Sequence, residues 1–338
     1  MEENYSSIVY TKNQIEPEME SKHGIRENFV AIFLLLALLS TVTVSAFIFN
    51  NSKEGEVVAL EKIIKKEEVA KEVFSNIDVE ANSYVVYDIN NKTVVASKNK
   101  DSQLPLASLS KIMTALLARE NLDENQIITI NKNNLAIDGD SGLLEGERWK
   151  AKDLLKFTLI VSSNDGANAL ASAVSSLKTK DPENQIDFKN LMNSKAKELG
   201  LDQTYFLNES GLDIDERTQS GSYGSSYDVV RLFAYSIIKY PELFGSTIDK
   251  ELVVTSEDSY THDARNTNQD TLSIPWILAS KTGYTDLAGG NLVIAFDAGM
   301  MQPYIIAVLG SSKDGRFSDV NKLYKATIDY LDRQNKTN

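Results

Sequence analysis

The chain has 338 residues, of which 48 are acidic and 35 are basic, and its formal net charge is −13 at pH 7. This acidic balance argues against nucleic-acid binding, which requires a basic surface. Cysteine is absent, so disulfides, thiol catalysis and cysteine-bound metals are excluded, and the two histidines are too few for a multi-histidine metal site. We therefore expect no nucleic-acid partner, no metal and no cofactor.

The first element is an uncharged apolar segment, FVAIFLLLALLSTVTVSAFIF, at residues 29–49. A helix of these 21 residues would be about 31 Å long, close to the roughly 30 Å hydrocarbon core of a bilayer. We predict a transmembrane anchor here, preceded by a tail at residues 1–28. The alternative is a signal peptide cleaved near Ala46, which would release a secreted protein. The length of the apolar run favours the anchor, whereas positive charges on both sides leave its orientation open.

Residues 50–77 contain many Lys and Glu residues and are predicted to form a charged, partly helical stalk. The globular domain is predicted at residues 78–335. It begins with two β-rich segments, 83–89 and 92–98, and the turn residues between them indicate a hairpin.

Helical patterns follow through the middle of the chain, and two β-rich segments and a last helix end it. The helical stretches are 108–120, 151–176 with a break near residue 163, 188–199 and 226–239; the strands are 291–296 and 304–310, and the last helix is 319–333. Strands at both ends with helices between them predict an α+β domain built on an antiparallel sheet.

The segment PLASLSKIMTALLARE, residues 105–120, places a serine and a lysine on one face of an amphipathic helix. Ser108 is compatible with a simple N-cap, but Lys111 stands where a capping box has Glu or Gln. A cation is also disfavoured at the positive end of a helix. At positions i and i+3 the two side chains are neighbours, and burial together with the helix dipole lowers the pKa of Lys111. A neutral lysine beside a serine is a nucleophile with its general base.

Two further segments supply groups that suit the same chemistry. LIVSSNDGANALA places a Ser-Ser-Asn triplet, residues 162–164, at a break between two helices, although such residues are also ordinary at helix junctions. ILASKTGYTDLAGGNLVIAF places a Lys-Thr-Gly triplet, residues 281–283, at the end of an extended run. The lysine and the threonine offer a cation and a hydroxyl for a carboxylate, and the glycine lets a ligand approach the backbone closely.

Two other features are not predicted to be catalytic. The sequence GDSG at 139–142 is similar to the nucleophile loop of trypsin-like proteases, but the only upstream histidine, His23, lies before the apolar segment. His262, in SYTHDARN, has polar neighbours in the sequence and is predicted to be a surface histidine.

In this order, Ser-x-x-Lys, Ser-x-Asn and Lys-Thr-Gly resemble the signature of penicillin-binding proteins and serine β-lactamases. The segments quoted above, together with ELGLDQTYFLNESGLD, are similar to low-molecular-mass D-alanyl-D-alanine carboxypeptidases, and the resemblance spans roughly residues 78–335. It implies a β-lactamase/transpeptidase-like domain, in which an antiparallel sheet is flanked by helices and accompanied by an all-helical subdomain.

The resemblance implies three catalytic residues. Ser108 would be the nucleophile that attacks the penultimate D-alanine of a peptidoglycan stem peptide, and Lys111 would be its base. Ser162 would pass a proton to the leaving D-alanine. The acyl-enzyme would then be hydrolysed by water, and β-lactams would act as inhibitors.

The resemblance also implies substrate-binding residues. Asn164 would hold Lys111 and the substrate amide, while Lys281 and Thr282 would bind the terminal carboxylate. Lys281 is expected to stay positively charged and so to help keep Lys111 neutral. Gly283 belongs to the same triplet, and the backbone amide of Tyr284 would complete an oxyanion hole with the amide of Ser108.

The same residues leave other functions open. D,D-Endopeptidase activity on crosslinked stems would use the same groups and differ only in the shape of the cleft. A β-lactamase of class A would need a glutamate where the run 204–208 has Thr204, and a non-catalytic wall-binding scaffold would not need all three motifs. Because the substrate is cell wall, the resemblance implies a single-pass protein of the bacterial membrane with its catalytic domain outside the cytoplasm.

Overall fold

The computed structural model describes residues 60, 62–178, 187–215, 218–299 and 301–337. The chain forms two compact units, Met1–Lys65 and Lys66–Asn338, and the fold and the candidate site belong to the second. The predicted transmembrane segment at 29–49 lies outside the described residues. Within the described ranges, no helix combines enough length and hydrophobicity to span a membrane.

The second unit contains twelve strands and seven α-helices in its described residues, with strands grouped at both ends and most helices between them. The strands are β1 (Ser83–Asp88), β2 (Thr93–Lys98), β3 (Leu104–Pro105), β4 (Ile127–Thr129), β5 (Arg148–Lys150), β6 (Tyr205–Phe206), β7 (Ser222–Gly224), β8 (Glu251–Thr255), β9 (Thr261–Arg265), β10 (Ile277–Thr285), β11 (Gly289–Asp297) and β12 (Pro303–Ser311). The helices are α1 (66–74 within this unit), α2 (Lys111–Asn121), α3 (Ala151–Val161), α4 (Asn164–Lys178), α5 (Phe188–Glu198), α6 (Ser226–Lys239) and α7 (Gly315–Thr337).

The central sheet has five strands in the order β10-β11-β12-β1-β2, and every neighbouring pair is antiparallel. Successive residues of its strands face two different cores. Val85 packs with α2, α3 and α6 on one side, whereas Val86 packs with α1 and α7 on the other. Because both faces are covered, the inner strands are apolar at almost every position instead of alternating. The predicted antiparallel sheet and the β1–β2 hairpin are confirmed.

The helices α2–α6 pack together beside the sheet, and two small two-stranded sheets, β4–β5 and β8–β9, border them. The expected all-helical part therefore also contains strands. The predicted break near residue 163 is confirmed, because α3 ends at Val161 and α4 begins at Asn164. The last helix is longer than predicted and begins at Gly315.

The folded unit extends into the segment that we predicted to be a stalk. Ala70 and Phe74 of α1 are buried in the core beneath the sheet. The Phe74 ring lies 6.3 Å from that of Tyr330, and Glu72 forms an ion pair with Arg333 at 2.7 Å. Some of the apolar residues among the lysines and glutamates of this segment therefore form the buried face of a packed helix.

Candidate active site

Ser108 lies in a short 3₁₀ turn, Ala107–Ser110, which leads directly into α2. Ala107 has a φ of 49°, in the left-handed region that L-residues seldom occupy. Gly211 packs against this bend so closely that a Cβ at position 211 would come within 1.9 Å of the Ala107 carbonyl oxygen. The N-cap position of α2 is Ser110, and its side chain makes no capping hydrogen bond. Ser108 is therefore held by a packed turn and is not the N-cap of a helix.

Lys111 is the first residue of α2 and is completely buried. Its Nζ donates hydrogen bonds to three oxygens: Ser108 Oγ at 2.8 Å, Asn164 Oδ1 at 2.7 Å and the Ser210 carbonyl at 2.8 Å. Burial lowers the pKa of Lys111 to about 7, although the carboxylates of Glu209 and Asp165 act in the opposite direction. The predicted contact between serine and lysine is confirmed, and a large fraction of Lys111 is neutral near pH 7.

The break between α3 and α4 places two polar side chains beside these groups. Ser162 has φ 60° and ψ 37°, a left-handed conformation. Its Oγ accepts a hydrogen bond from Lys281 Nζ at 2.7 Å. Asn164 accepts from Lys111 through Oδ1 and donates from Nδ2 to the Asp138 carbonyl at 2.7 Å. The strained turn thus presents Ser162 to one lysine and Asn164 to the other.

The Lys-Thr-Gly triplet lies inside β10, and not at the end of the strand as predicted. Lys281 is buried, and its Nζ donates to Ser162 Oγ and to the Thr282 carbonyl at 2.8 Å. The Thr282 hydroxyl is hydrogen-bonded to the Thr267 hydroxyl at 2.6 Å. Since β10 is an edge strand of the sheet, its outer backbone groups have no strand partner within the described ranges.

The protein groups around Lys281 oppose the positive charge that we expect it to keep. Burial, and then the positive charges of Lys111 and Arg316, lower the pKa of Lys281 well below its usual value. Across the described ranges, no carboxylate lies within hydrogen-bonding distance of its Nζ. The sequence motif indicated a cation without revealing that the site surrounds it with hydroxyl and carbonyl groups instead of a counter-charge.

Gly283 allows β10 to approach the Ser108 turn. A Cβ at this position would lie 2.9 Å from the Leu106 carbonyl oxygen and 3.2 Å from the Ser108 nitrogen. Such contacts are too short for a side chain, so glycine is required if the two backbones are to touch. The next residue, Tyr284, is 42% exposed. The structure therefore brings together all eight residues that the sequence singled out: Ser108, Lys111, Ser162, Asn164, Lys281, Thr282, Gly283 and Tyr284.

Three contributions to the site were not predicted. The carbonyl groups of Ser210 and Asp138 accept hydrogen bonds from Lys111 and Asn164. Arg316 is buried in the first turn of α7 and donates to the Gly283 carbonyl at 2.7 Å. Carbonyl groups are common to all residues and leave no mark in the sequence. Arg316 follows a loop of ordinary polar residues, and nothing in its neighbourhood indicated burial.

The sequence GDSG, residues 139–142, is a supporting loop. The Ser141 hydroxyl donates to Asp165 Oδ2 at 2.8 Å and is hydrogen-bonded to the Ser163 hydroxyl at 2.7 Å. Both partners belong to the start of α4 or to the residue before it. The loop therefore holds the break that carries Ser162 and Asn164, and the prediction that Ser141 is not a nucleophile is consistent with these contacts.

The prediction of a surface position for His262 is wrong. Its side chain is only 10% exposed, and its Nε2 lies 2.7 Å from an oxygen of the fully buried Glu147 carboxylate. The ring packs against Trp149 and Phe157 at centroid distances of 5.3 and 5.6 Å. His262 lies in β9, where alternate residues face opposite sides, so polar neighbours in the sequence do not indicate exposure.

Residues 67–313 match the profile of the D-alanyl-D-alanine carboxypeptidase family, Peptidase_S11. The D-alanyl-D-alanine carboxypeptidase DacF of Bacillus subtilis is 31% identical over 252 residues, which cover 72% of this chain and 61% of that protein. The D-alanyl-D-alanine endopeptidase of Escherichia coli is 29% identical over 252 residues, covering 73% of this chain and 76% of that protein. The chain thus spans about three fifths of the length of the Bacillus relative.

Solved structures show the same fold. Penicillin-binding protein D2 from Listeria monocytogenes, in its cefotaxime-bound form, is 28% identical with a TM-score of 0.62, covering 74% of this chain and 98% of that chain. A point mutant of the Streptomyces K15 D,D-transpeptidase has a TM-score of 0.65 at 23% identity, covering 74% of this chain and 98% of that chain.

Proposed function

The chain belongs to the D-alanyl-D-alanine carboxypeptidase family, and we propose that it is a serine peptidase that removes the terminal D-alanine of peptidoglycan stem peptides. The observation that carries this proposal is the 2.8 Å hydrogen bond between Lys111 Nζ and Ser108 Oγ, made by an amine whose pKa is lowered to about 7. A lysine of that pKa is partly unprotonated at neutral pH and can accept the proton of a serine hydroxyl.

In the first half of the reaction, Lys111 takes the Ser108 hydroxyl proton as Oγ attacks the carbonyl carbon of the penultimate D-alanine. The negative charge that develops on the carbonyl oxygen is stabilised by the amides of Ser108 and Tyr284. The carbon–nitrogen bond to the terminal D-alanine then breaks, and the proton from Lys111 reaches the leaving amine by way of the Ser162 hydroxyl. An ester on Ser108 and free D-alanine result, and water cleaves the ester in the second half.

Lys281 and Thr282 bind the carboxylate of the terminal D-alanine. A carboxylate near a buried amine raises the pKa of that amine, so substrate binding favours the protonated form of Lys281. The positive charge of Lys281, whose Nζ lies 2.7 Å from Ser162 Oγ, then disfavours protonation of Lys111. The substrate thereby favours a charged Lys281 beside a neutral Lys111, an arrangement that burial of Lys281 opposes.

Endopeptidase activity on crosslinked stems is the second candidate, and the Escherichia coli endopeptidase at 29% identity favours it. Both reactions use the same nucleophile and base. Purified protein given a pentapeptide monomer and a crosslinked dimer should release D-alanine from the monomer at the higher rate. Faster cleavage of the dimer would make the endopeptidase the principal function.

We further propose that residues 29–49 anchor the chain in the bacterial membrane with the catalytic unit outside the cytoplasm, where its substrate lies. The apolar segment is long enough to span a bilayer. Protease added outside intact cells should remove the catalytic unit and leave an N-terminal fragment in the membrane. A mature protein that begins near residue 47 would instead establish cleavage of a signal peptide.

The function is tested most directly by covalent labelling with a fluorescent penicillin. The Listeria neighbours were solved in cefotaxime-bound and ampicillin-bound forms, which supports labelling of Ser108 here. Ser108→Ala should abolish labelling and D-alanine release while the circular dichroism spectrum and melting temperature stay as in wild type. Ser110→Ala, two residues away, is the matched control and should retain labelling. Equal labelling of Ser108→Ala would overturn the assignment of the nucleophile.

A further inference from the structure

Two large apolar side chains are exposed at one end of the central sheet. Trp276 is 76% exposed and Met301 is 83% exposed. The Trp276 carbonyl accepts a hydrogen bond from Asp297 N at 3.0 Å, and the Met301 carbonyl accepts one from Asn90 Nδ2 at 2.9 Å. The start of β10, the β11–β12 turn and the β1–β2 turn therefore lie together. We call this region, defined by Trp276, Met301, Asp297 and Asn90, the far end.

The far end is remote from the catalytic groups. Ile277 and Gly283 are six positions apart on β10, and at about 3.3 Å per residue they are separated by about 20 Å. Ser108 and its turn contact β10 at Gly283. Trp276 and Met301 thus have no part in the cleft.

The chain enters the folded unit at this same end. Helix α7 starts at the cleft, where Arg316 contacts Gly283, and by Tyr324 it has reached Phe296, which pairs with Ile277 at the far end. The two rings are 5.0 Å apart. The remaining turns of α7 extend beyond this level, because a helix rises about 1.5 Å per residue.

The segment that includes α1 runs in the opposite direction beside α7. Glu72 is paired with Arg333, whereas further along the chain Ala81 N donates to Asp319. Since Glu72 lies beside the last turns of α7, the residues before it in α1 lead away from the cleft. Lys66 therefore lies on the far-end side of the unit, and from there the sequence leads back to the apolar segment at 29–49.

We propose that the far end faces the lipid bilayer and that Trp276 and Met301 insert among the headgroups and upper acyl chains. This proposal rests on the membrane anchor proposed above. Tryptophan prefers the membrane–water interface, where its ring is buried and its N–H stays near water. Only 16 residues separate residue 49 from Lys66, which limits the distance between these two residues to about 60 Å even for a fully extended chain. This orientation directs the catalytic cleft away from the membrane.

The charges at the far end permit this contact. The Asp297 carboxylate accepts hydrogen bonds from Gly299 N and Gln302 N, both at 2.9 Å, and so is engaged within its own turn. Lys92, at the tip of the β1–β2 turn, is exposed and can approach an anionic headgroup. The proposed contact therefore combines two apolar side chains with one free cation among the described residues of these turns.

The sequence makes this proposal testable by fluorescence, because it contains two tryptophans and Trp149 is fully buried. The full chain is reconstituted in vesicles of phosphatidylethanolamine and phosphatidylglycerol, with or without lipids brominated near the headgroup end of the acyl chains. Trp149→Phe leaves Trp276 as the only tryptophan, and Trp276→Phe leaves Trp149 as the matched control. Brominated lipid should quench the first variant at least twofold and leave the second nearly unchanged.

If Trp149→Phe does not fold, the quenching of Trp276 by brominated lipid is obtained from the difference in fluorescence between wild type and Trp276→Phe. Absence of brominated-lipid quenching of Trp276 in protein that floats with the vesicles would overturn the orientation. Quenching relieved by isolated peptidoglycan would assign Trp276 to the wall and also overturn it. Protein that does not float lacks the anchor, which removes the basis of the proposal. Penicillin labelling, measured in parallel, reports the proposed function separately.

Discussion

Ser162 and Lys281, which are 119 positions apart in the chain, are joined by a hydrogen bond of 2.7 Å from the lysine Nζ to the serine Oγ. Ser162 reaches this position from a left-handed backbone conformation at the end of α3. Ser162 therefore has two features that substitutions can separate. Its hydroxyl lies on the proposed proton path, and its left-handed backbone conformation affects the stability of the fold.

Replacing Ser162 separates these properties. Ser162→Ala and Ser162→Gly both lack the hydroxyl, and penicillin acylation should fall by at least tenfold in each. Glycine adopts the left-handed conformation without the steric penalty of about 1 kcal/mol that alanine has. The glycine variant should therefore melt about 2–4 °C higher than the alanine variant. If Ser162→Ala is acylated at the wild-type rate, the Ser162 hydroxyl is not part of the proton path. If Ser162→Gly melts at a lower temperature than Ser162→Ala, the backbone at this position is not strained.

The acid limb of the pH profile of acylation should shift when Glu209 is replaced. Acylation should rise with pH through about 7, as Lys111 loses its proton. The Glu209 carboxylate raises the pKa of Lys111, so Glu209→Gln should lower that pKa and move the acid limb to lower pH. Gln keeps an oxygen for the hydrogen bond from Asn168 Nδ2. Glu251→Gln, an exposed position in β8, is the control and should not move the limb; an upward shift for Glu209→Gln would refute this electrostatic role.

The buried amine should also make stability depend on pH. In the unfolded chain Lys111 titrates near 10.4, whereas in the fold its pKa is about 7. Between these values the unfolded chain binds more protons, so this residue makes the free energy of unfolding increase with pH. Lys111→Met lacks the titration. The difference in unfolding free energy, wild type minus variant, should increase from pH 7 to pH 10 in urea titrations. A constant difference would show that Lys111 keeps its ordinary pKa.

The contact between Gly211 and Ala107 should be essential for the Ala107–Ser110 turn that carries Ser108. Gly211→Ala places a Cβ 1.9 Å from the Ala107 carbonyl oxygen at a φ of 80°, whereas Gly146→Ala has a similar φ of 88° and open space. Both variants carry the backbone penalty, but only the first must displace the turn that holds Ser108. Gly211→Ala should lose most acylation and more stability than Gly146→Ala. Equal acylation rates for the two variants would exclude the contact as the cause.

The pair of Glu147 and His262 should behave as a unit. His262→Phe leaves a buried carboxylate short of one donor and should lower the free energy of unfolding by about 1–3 kcal/mol. The double variant Glu147→Leu/His262→Phe removes both polar groups and should recover part of that loss. Chemical denaturation of the wild type, both single variants and the double variant gives the coupling energy. A coupling energy of zero would mean that the 2.7 Å contact does not stabilise the fold.

The sequence alone identified the residues of the candidate site and much of the secondary structure. The three motifs named seven of the eight site residues, since their side-chain types and order are specific, and the family resemblance added Tyr284. The helix break near residue 163 and the antiparallel sheet followed from local signals: Ser, Asn and Gly at a junction, and apolar β-rich segments at both ends. The spacing of Ser108 and Lys111 also predicted their contact, because residues three positions apart in a helical turn are neighbours whatever the rest of the fold does.

Only the tertiary structure decided the environment of each charge. His262 is buried on Glu147 because β9 turns it inward, and alternate strand positions cannot be assigned to a side from polar neighbours. Lys281 is surrounded by Ser162, the Thr282 carbonyl, Lys111 and Arg316, groups from distant parts of the chain. A protonated amine needs compensating charge when it leaves water, and which groups supply or deny that charge depends on how the helices and the sheet pack together.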